Sequence, residues 1–164
     1  MALSHIDGIC LDGFSQPITI DELRRTRCSG VPESPGAYLI VRNSDSTADF
    51  LSVSTGGWFK GQDPNAPLDV VRAHWVQGAH VLYVGMTAAR KGLKGRLCCF
   101  FDFGCGKAVG HRGGRLLWHL KDSGELLVRW RPCAEAEADD AETKAIADFK
   151  AAHDGRRPYA NMNK

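Results

Sequence analysis

Apolar and polar positions divide this chain into short segments whose period changes along its length. Ala37-Tyr38-Leu39-Ile40-Val41 is apolar throughout, entered through Pro32, Pro35 and Gly36 and left through Asn43-Ser44-Asp45. Its β-branched and aromatic content between turn residues predicts a central, largely buried strand. His80-Val81-Leu82-Tyr83-Val84-Gly85 predicts a second, and residues 125–130 a third with Leu126, Val128 and Trp130 on one side. Phe50-Leu51-Ser52-Val53 predicts a strand paired to the first. Helical spacing marks Leu68, Val71 and Trp75, then Leu93, Leu97 and Phe100, then Leu116, Leu117 and Leu120 within 113–120. Residues 18–25 read as a short helix entry with Thr19 or Asp21 as cap. The Ala- and Glu-rich stretch 134–153 is a strong helix, with Gly155 at its end. Strands and helices without regular β-α-β alternation predict an α+β fold with an antiparallel sheet.

Length and composition fit that picture. A chain of 164 residues, 43% hydrophobic and 24% charged, is expected to form one domain (1–164) around its own core. No apolar run approaches the ~20 residues a membrane helix needs, and the first residues lack the basic and apolar regions of a signal peptide. A cytoplasmic protein without membrane partners is therefore expected. Cys10, Cys28, Cys98, Cys99, Cys105 and Cys133 contain no C-x-x-C pair, which points to reduced, partly buried thiols rather than a zinc site or disulfides.

Charge changes the picture once it is divided along the chain. Residues 86–131 hold 10 Lys/Arg against 3 Asp/Glu, a net of +7, whereas residues 1–85 and 132–154 are both acidic. A basic excess confined to one segment suits a surface facing phosphates, and a solvated face without a partner fits charge alone equally well.

Several residues carry candidate chemistry. On a wheel of about 100° per residue, Glu142 lies about 40° from Ile146 and about 20° from Phe149, inside the apolar stripe of the last helix. A carboxylate on that side must be paired or bind a metal; a solvated glutamate in the first turns of a helix is the alternative. Arg96 borders the stripe of Leu93, Leu97 and Phe100. It either lays its stem over the core or offers its fork to a phosphate. His111 stands among glycines in Gly110-His111-Arg112-Gly113-Gly114-Arg115, where a ligand can approach closely. Tyr38 and Tyr83, taken singly, fit ordinary core tyrosines. Gly104-Cys105-Gly106-Lys107-Ala108 fails as a P-loop, because Phe101 replaces the first glycine and Ala108 the magnesium-binding hydroxyl.

Taken in order, Gly36-Ala37-Tyr38, Tyr83-Val84-Gly85, Arg96, Glu142 and Pro158-Tyr159-Ala160-Asn161 resemble the GIY-YIG nuclease superfamily, as a small single-domain member of bacterial type. The resemblance covers residues 36–161, with Ala37 in place of isoleucine and an insertion at about 44–79. It implies a small antiparallel sheet of about three strands flanked by helices, and metal-dependent hydrolysis of phosphodiester bonds, most naturally in DNA. Tyr38, Tyr83, Arg96, His111 and Glu142 would be the catalytic set, and Glu142 would hold one Mg²⁺ or Mn²⁺. Tyr38 would act as base or orient water. His111 would orient Tyr38, act as base or protonate the leaving group. Gly36, Gly85 and Asn161 would be structural. Lys94, Lys107, Arg112, Arg115, Trp58 and Lys60 are the expected nucleic-acid contacts. Targeting is left to DNA structure, the insertion, a homodimer or a protein partner. A non-catalytic nucleic-acid-binding module on the same fold is the alternative.

Overall fold

The computed structural model of the protein describes residues 3–163. Its main sheet has four strands, all antiparallel: β3 (Ile18–Thr19), β4 (Gly36–Val41), β5 (Val81–Thr87) and β6 (Leu127–Pro132), in the order β3-β6-β4-β5. A separate hairpin of β1 (His5–Ile6) and β2 (Ile9–Cys10) precedes it. The helices are α1 (Ile20–Arg25), α2 (Leu68–His74), α3 (Gly92–Gly104) and α4 (Ala138–Ala152). No helix among the described residues is long and apolar enough to cross a membrane.

The sheet has one strand more than the expected three. Ile18 and Thr19 pair with Val128 and Leu127 before the chain turns into α1. Thr19 then caps that helix, its hydroxyl accepting from the Glu22 amide at 3.1 Å, worth about 1 kcal/mol. The two-residue strand is too short to show a period of its own.

β4 is buried at every position, as its unbroken apolar run requires. Its side chains alternate between two cores. Tyr38 and Ile40 face Leu93, Leu97 and Phe100 of α3, together with Leu116, Leu117 and Trp118. Leu39 and Val41 face Ala145, Ile146 and Phe149 of α4, together with Ile9 and Leu11. The sheet is thus covered on both faces, with α3 on one side and α4 on the other.

Two expected elements differ. Residues 50–53 do not join β4, because β5 and β6 already occupy both of its edges. Phe50 instead makes one bridge to Leu120, the Leu51 amide donates to the His119 carbonyl at 2.6 Å, and Val53 is exposed. The 113–120 helix is a 3₁₀ turn, Arg115–His119, entered from Gly114 at φ 74°. Positions 116–119 are all buried, so burial is not confined to one face.

The 44–79 insertion is folded onto the body of the domain. Arg42, itself buried, donates to Asp122 at 2.9 Å and to the Ser46 carbonyl at 2.9 Å, fixing the loop's departure. His119 holds its middle: the ring accepts from the Ala66 amide at 3.1 Å through Nε2 and lies 2.8 Å from the Leu51 carbonyl through Nδ1. Those partners place its proton on Nδ1.

Candidate active site

β4 and β5 bring the two tyrosine motifs together. Tyr38 stands opposite Gly85 in the antiparallel register, and Tyr83 opposite Ile40. The rings of Tyr38 and Tyr83 lie 6.1 Å apart, and both contact Phe100 of α3. Gly85 is required by the approach: a Cβ there would sit 2.5 Å from the Tyr38 hydroxyl. Gly36 meets the same kind of limit, 2.8 Å from the Leu93 side chain.

The chain's three tyrosines are all buried, but their hydroxyls differ. Tyr159 donates to the Leu116 carbonyl at 2.9 Å, as a core tyrosine should. Tyr38 is fully buried and its hydroxyl has no hydrogen-bond partner. Arg96 and the Tyr83 hydroxyl lie near enough to act as weak hydrogen-bond partners, yet neither closes a bond of good geometry onto it. Burial pushes the Tyr38 phenol well above its ordinary range; Tyr83 and Glu142 add to this, and Arg96 opposes it. Burial likewise raises Tyr83, with Arg96 lowering it and Glu142 raising it.

Arg96 comes from the middle of α3 and is half-buried, its Nε unpartnered. Its reach is marked by Gly113, where a Cβ would lie 2.7 Å from the Tyr83 hydroxyl and 3.7 Å from an Arg96 amino group. His111 stacks on Phe100, centroids 4.3 Å apart and planes 9° from parallel. It is 1% exposed, and neither ring nitrogen closes a hydrogen bond of good geometry, although the Gly113 backbone is near enough to favour the protonated ring weakly. Burial, reinforced by the Arg96 charge, lowers it to about 3, so the imidazole is neutral at pH 7. The contrast with His119, whose two nitrogens are both engaged, parallels that between Tyr38 and Tyr159.

A cleft of about 230 Å³ opens beside this cluster. Tyr83, Arg112, Arg115, Glu142 and Asn161 line it, together with glycines 113 and 114. Glu142 is half-buried one turn before Ile146 on α4, and its charge is felt at both tyrosines. The Arg115 Nε is buried and unpartnered; desolvation and the neighbouring Arg112 charge both work against its own charge. Asn161 closes the floor: its side chain accepts from the Val84 amide and donates to the Val84 carbonyl, both at 2.9 Å. With the Ala160 amide donating to the Leu82 carbonyl, the C-terminal segment satisfies the outer edge of β5.

The remaining basic and aromatic candidates stand outside the cleft. Lys94 lines a separate groove on α3 with Arg90 and Lys91. Lys107 pairs with Asp102 at 3.2 Å. Trp58 and Lys60 sit on the insertion, where the Lys60 ammonium lies 5.3 Å from the Phe59 ring. Phe100 was legible only as a core residue; its spacing gives no sign that it carries the stack under His111.

Among the described residues no three His, Cys, Asp or Glu side chains gather as a metal-binding group. The cleft therefore offers a divalent ion one carboxylate, Glu142. A single carboxylate is a donor set compatible with Mg²⁺, which keeps most of its waters, and not with a zinc centre of three or four protein ligands.

Nine buried side-chain polar atoms of the described residues lack a hydrogen-bond partner. Five of them, on Tyr38, Arg96, His111 and Arg115, belong to this one cluster. An antiparallel α+β domain with a tyrosine–arginine–glutamate cleft is the class that fold and site define. No protein-family model, curated protein or solved structure matches the chain.

Proposed function

We propose that the protein is a metal-dependent endonuclease of the GIY-YIG type, hydrolysing phosphodiester bonds in DNA. The observation that supports this most is the concentration of unpartnered buried polar groups around one carboxylate. Each such group costs about 1–3 kcal/mol when left unsatisfied, and a bound phosphate with its attacking water would satisfy several at once. The matching order of Gly36-Ala37-Tyr38, Tyr83-Val84-Gly85, Arg96, Glu142 and Asn161 supports the same reading.

Glu142 would hold a single Mg²⁺ or Mn²⁺, which when bound neutralises charge on the phosphate and lowers the pKa of coordinated water. Arg96 donates to the non-bridging oxygens of the scissile phosphate, where negative charge grows as the water oxygen adds to phosphorus. Tyr38 holds its proton at pH 7, so the role its state matches is orientation: the phenol oxygen accepts a hydrogen bond from the water. Tyr83, on the cleft wall, extends the same network. His111 is neutral and can accept or donate one hydrogen bond. Protonating the leaving oxygen would require the imidazolium, which burial beside Arg96 disfavours. Arg112 and Arg115 repel one another until an anion lies between them, a natural place for a neighbouring phosphate. Asn161 holds β5 and touches no reacting atom.

The test is cleavage of plasmid, branched DNA, single strands and RNA with Mg²⁺ or with EDTA, comparing wild type with Glu142→Gln and Arg96→Ala. DNA cleavage that needs Mg²⁺ and falls about 10²-fold or more in both variants is the expected result. Binding without any cleavage would make the protein a nucleic-acid-binding module. Variants that cut as well as wild type would refute the assignment of the site.

A further inference from the structure

We propose that Trp58 is a stacking platform for one unpaired base, so that the substrates cut best are nucleic acids with an unstacked nucleotide beside the scissile phosphate. This rests on the nuclease reading and narrows its substrate class.

Trp58 is 56% exposed, one of only three large apolar side chains so open among the described residues. Its ring makes no ring contact and no cation contact with any of them. An exposed indole on a loose loop would mean little, but this loop is held on both sides. The Thr55 amide donates to the Trp118 carbonyl at 3.1 Å, and the Gly57 amide to the Phe103 carbonyl at 2.9 Å. Gly57 lies so close to the Lys107 carbonyl that any side chain there would clash with it. After Trp58 the chain reverses at Phe59–Gln62, with Lys60 and Gly61 both at positive φ, as a two-residue hairpin tip requires. The indole is therefore presented by a fixed backbone.

That backbone is joined to the catalytic cleft. A Cβ at Gly110 would lie 3.1 Å from the Phe59 ring, and Gly110 precedes His111. Arg112, which lines the cleft, donates to the Asp63 carbonyl at 3.1 Å. Trp58 thus stands one residue from a ring packed against the His111 loop. Basic residues belong to the same segments: Lys60 two positions on, Lys107 with its backbone against Gly57, and Arg112 tied to the end of the same loop through Asp63.

The occupant follows from size and charge. A protein partner would need an interface of about 1,000 Å² or more, far beyond one indole on a basic loop. A single nucleobase matches the ring's area, and its phosphates match the surrounding charge. A base inside a continuous duplex is already stacked and cannot reach the indole. A bulge, a flap or a single strand supplies a free one.

The experiment measures binding and cleavage separately. Full-length Glu142→Gln, with and without Trp58→Ala or Trp58→Phe, is titrated with a duplex, the same duplex carrying one bulged nucleotide, and a single strand, all at one salt concentration. Expected is a loss of about 5- to 100-fold for Trp58→Ala on the bulged and single-stranded probes, as expected for one stacked base. Duplex binding is unchanged, and Trp58→Phe retains most of the affinity. With active enzyme, Trp58→Ala removes the preference for the bulged substrate over the duplex. Equal losses on all three probes, or none, overturn the proposal. If no probe is cut while the selective loss in binding persists, the nuclease reading fails and the role of Trp58 as a base platform stands.

Discussion

Replacing Tyr38 by phenylalanine removes one oxygen from the site and separates its two possible roles by sign. In a satisfied core tyrosine the hydroxyl contributes to stability. Tyr159, which donates to the Leu116 carbonyl, is the internal reference: Tyr159→Phe loses that bond, leaves a buried carbonyl short of a donor, and costs about 1 kcal/mol. Tyr38 is equally buried, but its hydroxyl has no partner, so the folded state already carries a desolvation penalty of about 1–3 kcal/mol. Deleting the oxygen relieves it. Tyr38→Phe is therefore expected to be more stable than wild type by about 1 kcal/mol, a rise of about 2–4 °C in Tm for a chain of this size. Cleavage should fall by about 10²-fold or more, because the group that orients the water is gone. Urea denaturation of wild type, Tyr38→Phe and Tyr159→Phe gives the stabilities, and nicking of supercoiled plasmid with Mg²⁺ gives the rates. If Tyr38→Phe is destabilised as much as Tyr159→Phe, the hydroxyl is an ordinary core group. If it is stabilised but fully active, the hydroxyl has no part in the chemistry.

Two further outcomes follow from the same cluster. His111 is lowered to about 3 in the folded protein and returns to about 6.5 on unfolding, so the unfolded state binds the extra proton between those values. Stability should fall as pH drops from 6.5 towards 3, with this group contributing up to about 5 kcal/mol of the loss. His111→Phe, which preserves the stack on Phe100, should flatten that part of the urea midpoint-against-pH curve, and an unchanged curve would place the lost stability elsewhere. Asn161→Ala should destabilise the protein by about 2–3 kcal/mol, since it leaves the Val84 amide and carbonyl unpaired at a buried edge. Hydrogen exchange at the Val84 amide should speed up accordingly, and protection equal to wild type would show that the edge is satisfied in another way.

How much of this the sequence discloses depends on how local each feature is. The strand 36–41 and the helices of α3 and α4 are written in periodicity, because burial on one or two faces dictates which positions are apolar. Glu142 stands out by phase, a property that a helix keeps whatever its surroundings. Phe50–Val53 misled because a short apolar run says nothing about whether an edge is free to receive it; both edges of β4 were taken by strands 40 or more residues away in the chain. The edge strand beside β6, Ile18–Thr19, is hidden for a related reason: two residues cannot show a period. His119 carried no pattern at all, yet it fastens the insertion through bonds to Leu51 and Ala66.

What no sequence pattern could supply is the distinction between buried polar groups that are satisfied and those that are not. By composition Tyr38 and Tyr159 are alike, as are His111 and His119. Folding gives Tyr159 and His119 well-formed hydrogen bonds and leaves Tyr38 and His111, the pair that faces Phe100 beside Arg96, without one. A core under selection for stability alone would replace these two with apolar rings of similar shape, at no cost in packing and with a gain in free energy. Their presence as polar groups next to a half-buried carboxylate is the physical argument behind the proposal that better partners arrive with a substrate.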